Sequence, residues 1–503
     1  MTDIAPPASR LRITNLGLLQ ALAAFFIAIK VVYVFNVGPI MDEAYYWMWG
    51  QHPGLSYFDH PPFHAWLLGV SDAIFGRSLF GLRWMTFASM AGVFYIFHLW
   101  AKRMVGDDWQ ALFWPGIVIY LASPTFGYFT SLAFHDHLLL LLLLLSGHFF
   151  LKFLVDTDEG KQGRHLDLYL GAIFLGLATL TKYNGMFLGL AVGAYILWKP
   201  SLRKLLRDPH LWIAALVSIG MQAPVLYWNW STGFSSFNFH LNDRHSAGWL
   251  TDFNWNTFLD FPVASAALIS PFLIPVFVRF FTRTHQTRFE NVAKGLAIWA
   301  FWLSTLVFVY VSFFDWVFWW WNLTAYVLVL PFAARHMGQR WLFYGHVIWG
   351  TLVQLYLIIS VTILPLSFFH GTVDWRQTRL YGWVELHDAL AEARDTYRPD
   401  FIASDGPDLA SVAGFALDDK NVTAITDRVT QFYYWWDPEA HRGENAIVVL
   451  FKGENPAYTA SQFEKLTEVS STEVRRFGYF INGFAIYYAE NYQPRQVPGL
   501  HGS

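Results

Sequence analysis

Three carboxylates (Asp42, Glu43, Asp59) and three histidines (His52, His60, His64) share one short segment, MDEAYYWMWGQHPGLSYFDHPPFHAWLL, residues 41–68. Apolar runs flank it on both sides. Further groups of the same kind recur downstream: His135, Asp136 and His137 in AFHDHLL, Lys182 and Tyr183 in LTKYNG, and His240 and Arg244 in FHLNDRH. Carboxylates take a proton from an attacking hydroxyl. Lysine, arginine and protonated histidine stabilise a departing phosphate. A carboxylate with an imidazole also suits a divalent ion such as Zn²⁺ or Mn²⁺. The plainer reading is that loops are polar and acids cap helices. That reading serves for one residue at a time, and less well for a set drawn from several loops onto one membrane face, where polar groups are costly.

The elements that carry these residues are membrane helices. The chain has 503 residues, 55% hydrophobic and only 14% charged, against roughly a quarter charged in soluble domains. With no cysteine there is no disulfide, thiol nucleophile or thiolate metal site. Apolar windows fall near residues 14–35, 81–101, 109–122, 138–155, 166–181, 185–198, 211–228, 258–280, 295–313, 317–334 and 341–366. They predict a polytopic α-helical membrane protein of about 11–13 transmembrane helices. Arg10, Arg12, Lys102, Arg103, Lys161, Arg164, Lys199, Arg203, Lys204, Arg207, Arg279 and Arg283 gather on one side, which the positive-inside rule makes cytoplasmic. The acidic segments then face the opposite side. Lys30 lies inside the first window, where it either snorkels or faces a polar interior.

The tail differs in kind. RPDFIASDG, NVTAIT, ENAIVVLF and GFAIYYAE read as short strands between polar turns, and WVELHDALAEAR as an amphipathic helix. Two domains are therefore expected: residues 1–370, a transmembrane body with catalytic loops, and residues 371–503, a soluble α/β domain on the face opposite the basic loops. No P-loop, dinucleotide fingerprint or HExxH motif is present, and no basic domain suggests nucleic acid. The acids, cations and aromatic strings such as YYWMW and FDWVFWWW suit glycosyl transfer from a lipid-linked donor. An interfacial aromatic belt explains most of those tryptophans equally well.

MDEAYYWMWGQ with LSYFDHPPFHAWLL, LATLTKYNGMFLGL, RDPHLWIA with PVLYWNW, WNLTAYVLVLPF, and the tail strings TRLYGW, QFYYWW and GENAIVVL resemble the polyprenyl-phosphate-sugar glycosyltransferases of the GT-C class. The nearest look is to the bacterial PMT-type branch, which contains the aminoarabinose–lipid A transferase and the rhizobial galacturonic acid transferases of lipopolysaccharide. The resemblance implies an inverting transferase of the bacterial inner membrane, monomeric, with its site and tail domain in the periplasm. It would move a sugar from polyprenyl phosphate to lipid A, lipopolysaccharide core or a related glycolipid.

The same resemblance implies that Asp42, Glu43 and Asp136 are the catalytic acids, and that His60, Lys182 and Arg244 meet the donor phosphate. Apart from the resemblance, Asp59 with His240, or His60 with Asp136, forms a carboxylate–imidazole set that suits a divalent ion (Zn, Mn or Mg). Tyr45, Tyr46, Tyr57 and Tyr183 would line the acceptor or lipid groove. Two departures stand out. The aminoarabinose enzyme has Glu-Lys-Pro where this chain has Asp59-His60-Pro61, and an arginine where this chain has Tyr45. Two rivals remain: the same chemistry on a protein acceptor, as in protein O-mannosyltransferases, and a lipid or solute transporter. Transporters place their polar groups near the bilayer midplane, in broken helices and repeats.

Overall fold

The computed structural model describes residues 15–243, 253–285, 287–370 and 375–495. The helices of nine residues or more are α1 (Leu16–Asn36), α2 (Met41–Gln51), α3 (Phe63–Phe75), α4 (Leu79–Val105), α5 (Gln110–Ala122), α6 (His135–Asp158), α7 (His165–Thr181) and α8 (Met186–Trp198). After these come α9 (Pro209–Gly220), α10 (Ala223–Ser231), α11 (Trp255–Ile269), α12 (Ile274–Thr282), α13 (Arg288–Ser312), α14 (Arg340–Thr362), α15 (Trp383–Tyr397) and α16 (Pro407–Leu417). The strands are β1 (Phe401–Ser404), β2 (Val422–Ala424), β3 (Ala446–Phe451), β4 (Phe463–Arg476) and β5 (Tyr479–Tyr492).

The chain is a multi-pass membrane protein. Among the described residues, α1, the stretch Leu79–Ala122, α6, α13 and α14 are each long and apolar enough to cross a bilayer. Three bent pairs bring the number to 8: α8 with Pro200–Arg207 (110°), α9 with α10 (45°), and α11 with Pro271–Thr282 (84°). The 11 apolar windows exceed this number because several helices are short. The windows 81–101 and 109–122 merge in the one stretch Leu79–Ala122, and the 17-residue α7 covers about 25 Å of a hydrocarbon core roughly 30 Å thick. Gly106, at φ +64°, breaks the backbone between α4 and α5, a conformation that glycine adopts without a Cβ penalty.

Contacts divide the chain into two compact units: residues 1–32, 60–63 and 83–354, and residues 33–59, 64–82 and 355–503. In the first, α6 and α7 pack through small residues. Ser146 donates to the Gly171 carbonyl at 2.8 Å, and a Cβ on Gly171 would stand 2.7 Å from the Phe150 ring. The last carbonyls of α5 accept from α14: Gln354 Nε2 donates to Leu121 O at 2.9 Å, and His346 Nε2 lies 2.9 Å from Ile119 O. Lys30 is buried and donates to Thr130 O at 3.1 Å, so it faces the protein interior. At the end of the unit where the basic residues lie, the buried Asp158 joins Arg288, Ser201 and, at 3.7 Å, Lys199.

The second unit holds a five-stranded sheet of order β2-β1-β3-β5-β4. β1 runs parallel to β2 and β3, and β5 runs antiparallel to β3 and β4. β3, AIVVLF, is buried along its whole length, as a central strand covered on both faces should be. The four tail runs read as strands and the WVELHDALAEAR helix are all present, as β1, β2, β3, β5 and α15. Helix α2 packs on α16 in the same unit, with the Trp47 ring edge-on to Phe415 at 5.2 Å. It also crosses α3 where Gly50 and Gly69 meet: a Cβ on Gly69 would lie 2.6 Å from the Gly50 carbonyl.

Candidate active site

The residues singled out from the sequence divide between the two units. In the second, α2 begins with the Asp-Glu pair, and its two acids have different surroundings. Glu43 is fully buried, and its carboxylate accepts from the Ile40 backbone N–H at 3.0 Å. That bond caps one of the orphan donors at the helix start. Asp42 is exposed in the same first turn, where the positive end of the helix dipole favours a carboxylate. The pair thus separates into an acid that starts the helix and an acid open to solvent.

Tyr45, one turn along, is buried. Its hydroxyl donates to Asp59 Oδ2 at 2.9 Å and accepts from the Gln431 backbone N–H at 3.1 Å. The Gln431 side chain in turn accepts from the Phe58 N–H at 2.7 Å. Burial, and then the neighbouring Asp59 charge, push the Tyr45 phenol well above its ordinary range, so it remains a donor and fixes the Asp59 carboxylate. Phe432 lies 6.0 Å from the Tyr45 ring, nearly parallel to it, and Trp435 stacks on His52 at 4.4 Å. The string QFYYWW in the tail therefore holds both halves of the acidic segment.

Tyr57, expected at a groove, is completely buried. It donates to Trp49 O at 2.9 Å, accepts from Gly54 N at 3.1 Å, and its phenol is pushed up to about 12 by burial. It acts as a strut within its own loop. Tyr46 is also buried, edge-on to His64 at 6.0 Å.

The first unit gathers the other set. Lys182 ends α7 in an extended conformation, and its ammonium lies 2.8 Å from Asp136 Oδ1, with the two side chains only 7% and 4% exposed. The His60 ring lies 4.4 Å from His135 and 6.2 Å from His240, and the Tyr183 ring stands edge-on to His240 at 5.4 Å. Asn229 shapes the turn that carries His240, with its side-chain oxygen accepting from Phe237 N at 3.1 Å. The Tyr183 hydroxyl lies 3.1 Å from Ser236 Oγ. Asp59 groups with one unit and His60 with the other. Arg244 lies outside the described residues.

Gln431 and Ser236 had no individual signal in the sequence, although the QFYYWW string already belonged to the resemblance. Among the described residues, the one group of three potential metal ligands in mutual reach is elsewhere: His165, Asp208 and His210. The two imidazoles there stack face to face at 3.7 Å, and His210 Nδ1 is already engaged by Tyr169 at 2.8 Å. Stacked rings do not aim their lone pairs at a common point, so this group reads as a packing contact between helix starts.

This architecture has a counterpart among known structures. The structure of ArnT from Cupriavidus metallidurans bound to undecaprenyl phosphate covers 94% of this chain and 98% of its own, with a TM-score of 0.61 at 15% identity. The fold is that of ArnT. The apo structure of the same enzyme matches equally well, with a TM-score of 0.60. Residues 59–228 match the family described as dolichyl-phosphate-mannose-protein mannosyltransferase. A lipid A galacturonosyltransferase, RgtD of Rhizobium johnstonii, is 26% identical over 400 residues, 76% of this chain and 78% of the relative. The undecaprenyl phosphate-α-4-amino-4-deoxy-L-arabinose arabinosyl transferase of Pseudomonas savastanoi pv. phaseolicola is 25% identical over 215 residues, 39% of each chain. The resemblance read from the sequence is borne out. At 94% of the chain, the likeness to ArnT takes in the membrane helices and the sheet domain alike.

Proposed function

We propose that this protein is an inverting glycosyltransferase that moves a sugar from a polyprenyl-phosphate donor to lipid A or a related envelope glycolipid. The observation that carries this reading is the 400-residue match to a lipid A galacturonosyltransferase, which covers 76% of the chain and so extends beyond any one motif. The enzyme resides in the bacterial inner membrane with its acidic segment and tail domain on the periplasmic side, a reading supported by the basic residues on the opposite loops.

Asp42 is the acid placed for chemistry, since it is exposed while Glu43 is engaged in starting α2. Asp42 takes the proton of a hydroxyl acceptor. If the acceptor is a phosphate of lipid A, already ionised, Asp42 orients it instead. His60, Lys182 and Arg244 are the cations proposed for the donor phosphate. Asp136 holds the Lys182 ammonium in a fixed position, so the charge needs little reorganisation as the phosphate departs. A divalent ion remains part of the reading, with Asp59 and His240 as its protein ligands. Asp59 fits that role, because a ligating carboxylate is characteristically steadied by a hydrogen bond such as the one from Tyr45. Such an ion would supply positive charge to the phosphate.

Two experiments test the reading. Mass spectrometry of lipid A and core from a deletion strain should show the loss of one sugar; a change confined to protein glycans would transfer the acceptor to the protein class. Asp42→Asn should lower transfer in membranes by about 10²-fold or more while the protein remains folded, and full activity would remove Asp42 from its role.

A further inference from the structure

Away from the acidic segment, the first unit carries a long apolar groove of about 700 Å³ between α7, α8 and α9. Leu175, Leu190, Ile196, Leu206, Leu211 and Ile219 form its walls. Gly193 also lines it, and a Cβ there would meet nothing within 4 Å, so the groove is open at that position.

One end of the groove has an unusual boundary. At Lys199 the helix axis turns by 110° into the segment Pro200–Arg207, which therefore runs across α8 instead of continuing it. The segment is amphipathic: Leu202 and Leu205 are buried, whereas Arg203, Lys204 and Arg207 are exposed. A short segment of this kind, apolar on one side and basic on the other, suits the plane of a membrane interface. Trp198 and Trp212 flank it, both largely exposed, as interfacial tryptophans are.

The basic residues and the groove wall are adjacent in the chain, because Leu206 lines the groove between Leu205 and Arg207. Arg203 Nε donates to Leu197 O at 2.8 Å and Trp212 Nε1 to Leu206 O at 3.0 Å, and Leu197 and Trp212 are themselves lining residues. These bonds fix the basic segment at the mouth. Among the described residues, the far end of the groove, at Met186 and Leu226, offers no equivalent: the nearest cation along the chain from Met186 is Lys182, buried in its pair with Asp136.

We propose that this groove binds an anionic diacyl phospholipid, with an acyl chain along α7, α8 and α9 and the headgroup phosphate on Arg203, Lys204 and Arg207. A basic mouth over an apolar cleft between membrane helices is the arrangement that selects anionic headgroups. The site is separate from the transfer chemistry and does not depend on it.

The test uses the full-length protein, delipidated in detergent and titrated with phosphatidylglycerol or phosphatidylcholine, with native mass spectrometry as the readout. Wild type should retain one phosphatidylglycerol with a preference of about tenfold or more over phosphatidylcholine. The triple variant Arg203→Gln, Lys204→Gln, Arg207→Gln should lose that preference and keep its elution profile and circular dichroism. Gly193→Phe should exclude the lipid while leaving the cations in place. Equal retention of the two lipids by wild type, or undiminished phosphatidylglycerol on the triple variant, overturns the proposal. So does displacement of phosphatidylglycerol by an equimolar amount of undecaprenyl phosphate, which would assign the groove to the donor tail. Transfer measured in parallel on wild type keeps a failure here distinct from a failure of the glycosyltransferase reading.

Discussion

The buried pair of Lys182 and Asp136 allows a stabilising role to be separated from a catalytic one. At 2.8 Å and an effective dielectric of about 20, the attraction between the two charges is about 6 kcal/mol before desolvation is subtracted. Desolvation consumes most of that, yet removing only one partner leaves a buried charge with no counterpart, at a cost of about 3–5 kcal/mol. Asp136→Leu and Lys182→Met should therefore each destabilise the protein by that amount, read as denaturant or thermal unfolding in detergent. The double variant Asp136→Leu, Lys182→Met replaces both charges by apolar groups and should recover much of the stability. Activity decides the rest. If Lys182 meets the donor phosphate, transfer by the double variant stays about 10²–10³-fold below wild type, because stability returns without the cation. A double variant that is both stable and fully active would refute the reasoning and leave the pair a structural contact.

Three further outcomes follow from the second unit. Tyr45→Phe removes the donor that fixes Asp59 while keeping the ring against Phe432; transfer should fall by up to about 100-fold, with a cost of about 1–3 kcal/mol in unfolding from the lost Gln431 N–H bond, and unchanged kcat and KM would contradict the positioning role. Gly69→Ala forces a methyl group against the Gly50 carbonyl and should cost about 1–3 kcal/mol, read in the unfolding midpoint. Asp405, Asp408 and Glu454 are all held above the usual carboxylate range, chiefly by burial, with Arg379 opposing the rise in each. Carboxyls with raised folded-state pKa values contribute stability in acid and lose it as pH rises through those values. Asp408→Asn should therefore gain protection relative to wild type as pH increases, measured by hydrogen exchange at β1 and β3 in the full chain; a gap that narrows with rising pH would reverse the sign.

What the sequence made legible follows from how far each signal reaches along the chain. Apolar windows and the alternation in the tail are local, and they located α1, α6, α13, β1, β3 and β5. Helix α16, PDLASVAGFAL, is buried on every side and rich in Ala and Gly, so no amphipathic period announced it. Strand β4 pairs along β5 but is largely exposed and polar, which leaves no apolar alternation to read. The breaks between α9 and α10 and at Ser270 divided the windows 211–228 and 258–280, which composition alone ran together. The contacts of Gln431 were out of reach for a different reason: its partners Phe58 and Tyr45 lie 373 and 386 positions away, and no periodicity spans such a separation.

Tyr45 and His60, the two departures from the aminoarabinose enzyme, are better taken together than singly. The enzyme's strings carry one carboxylate and two fixed cations at these three positions, whereas this chain carries Asp59 with a neutral phenol and an imidazole. The phenol holds Asp59 by a neutral hydrogen bond, which fixes the carboxylate without cancelling its charge, as an arginine would. A phosphate leaving near an ionised carboxylate is repelled by it. An ionised Asp59 is thus unfavourable for the proposed donor unless positive charge stands between them. That requirement, and not the spacing of any motif, is the strongest physical reason to expect a divalent ion on Asp59 in this protein.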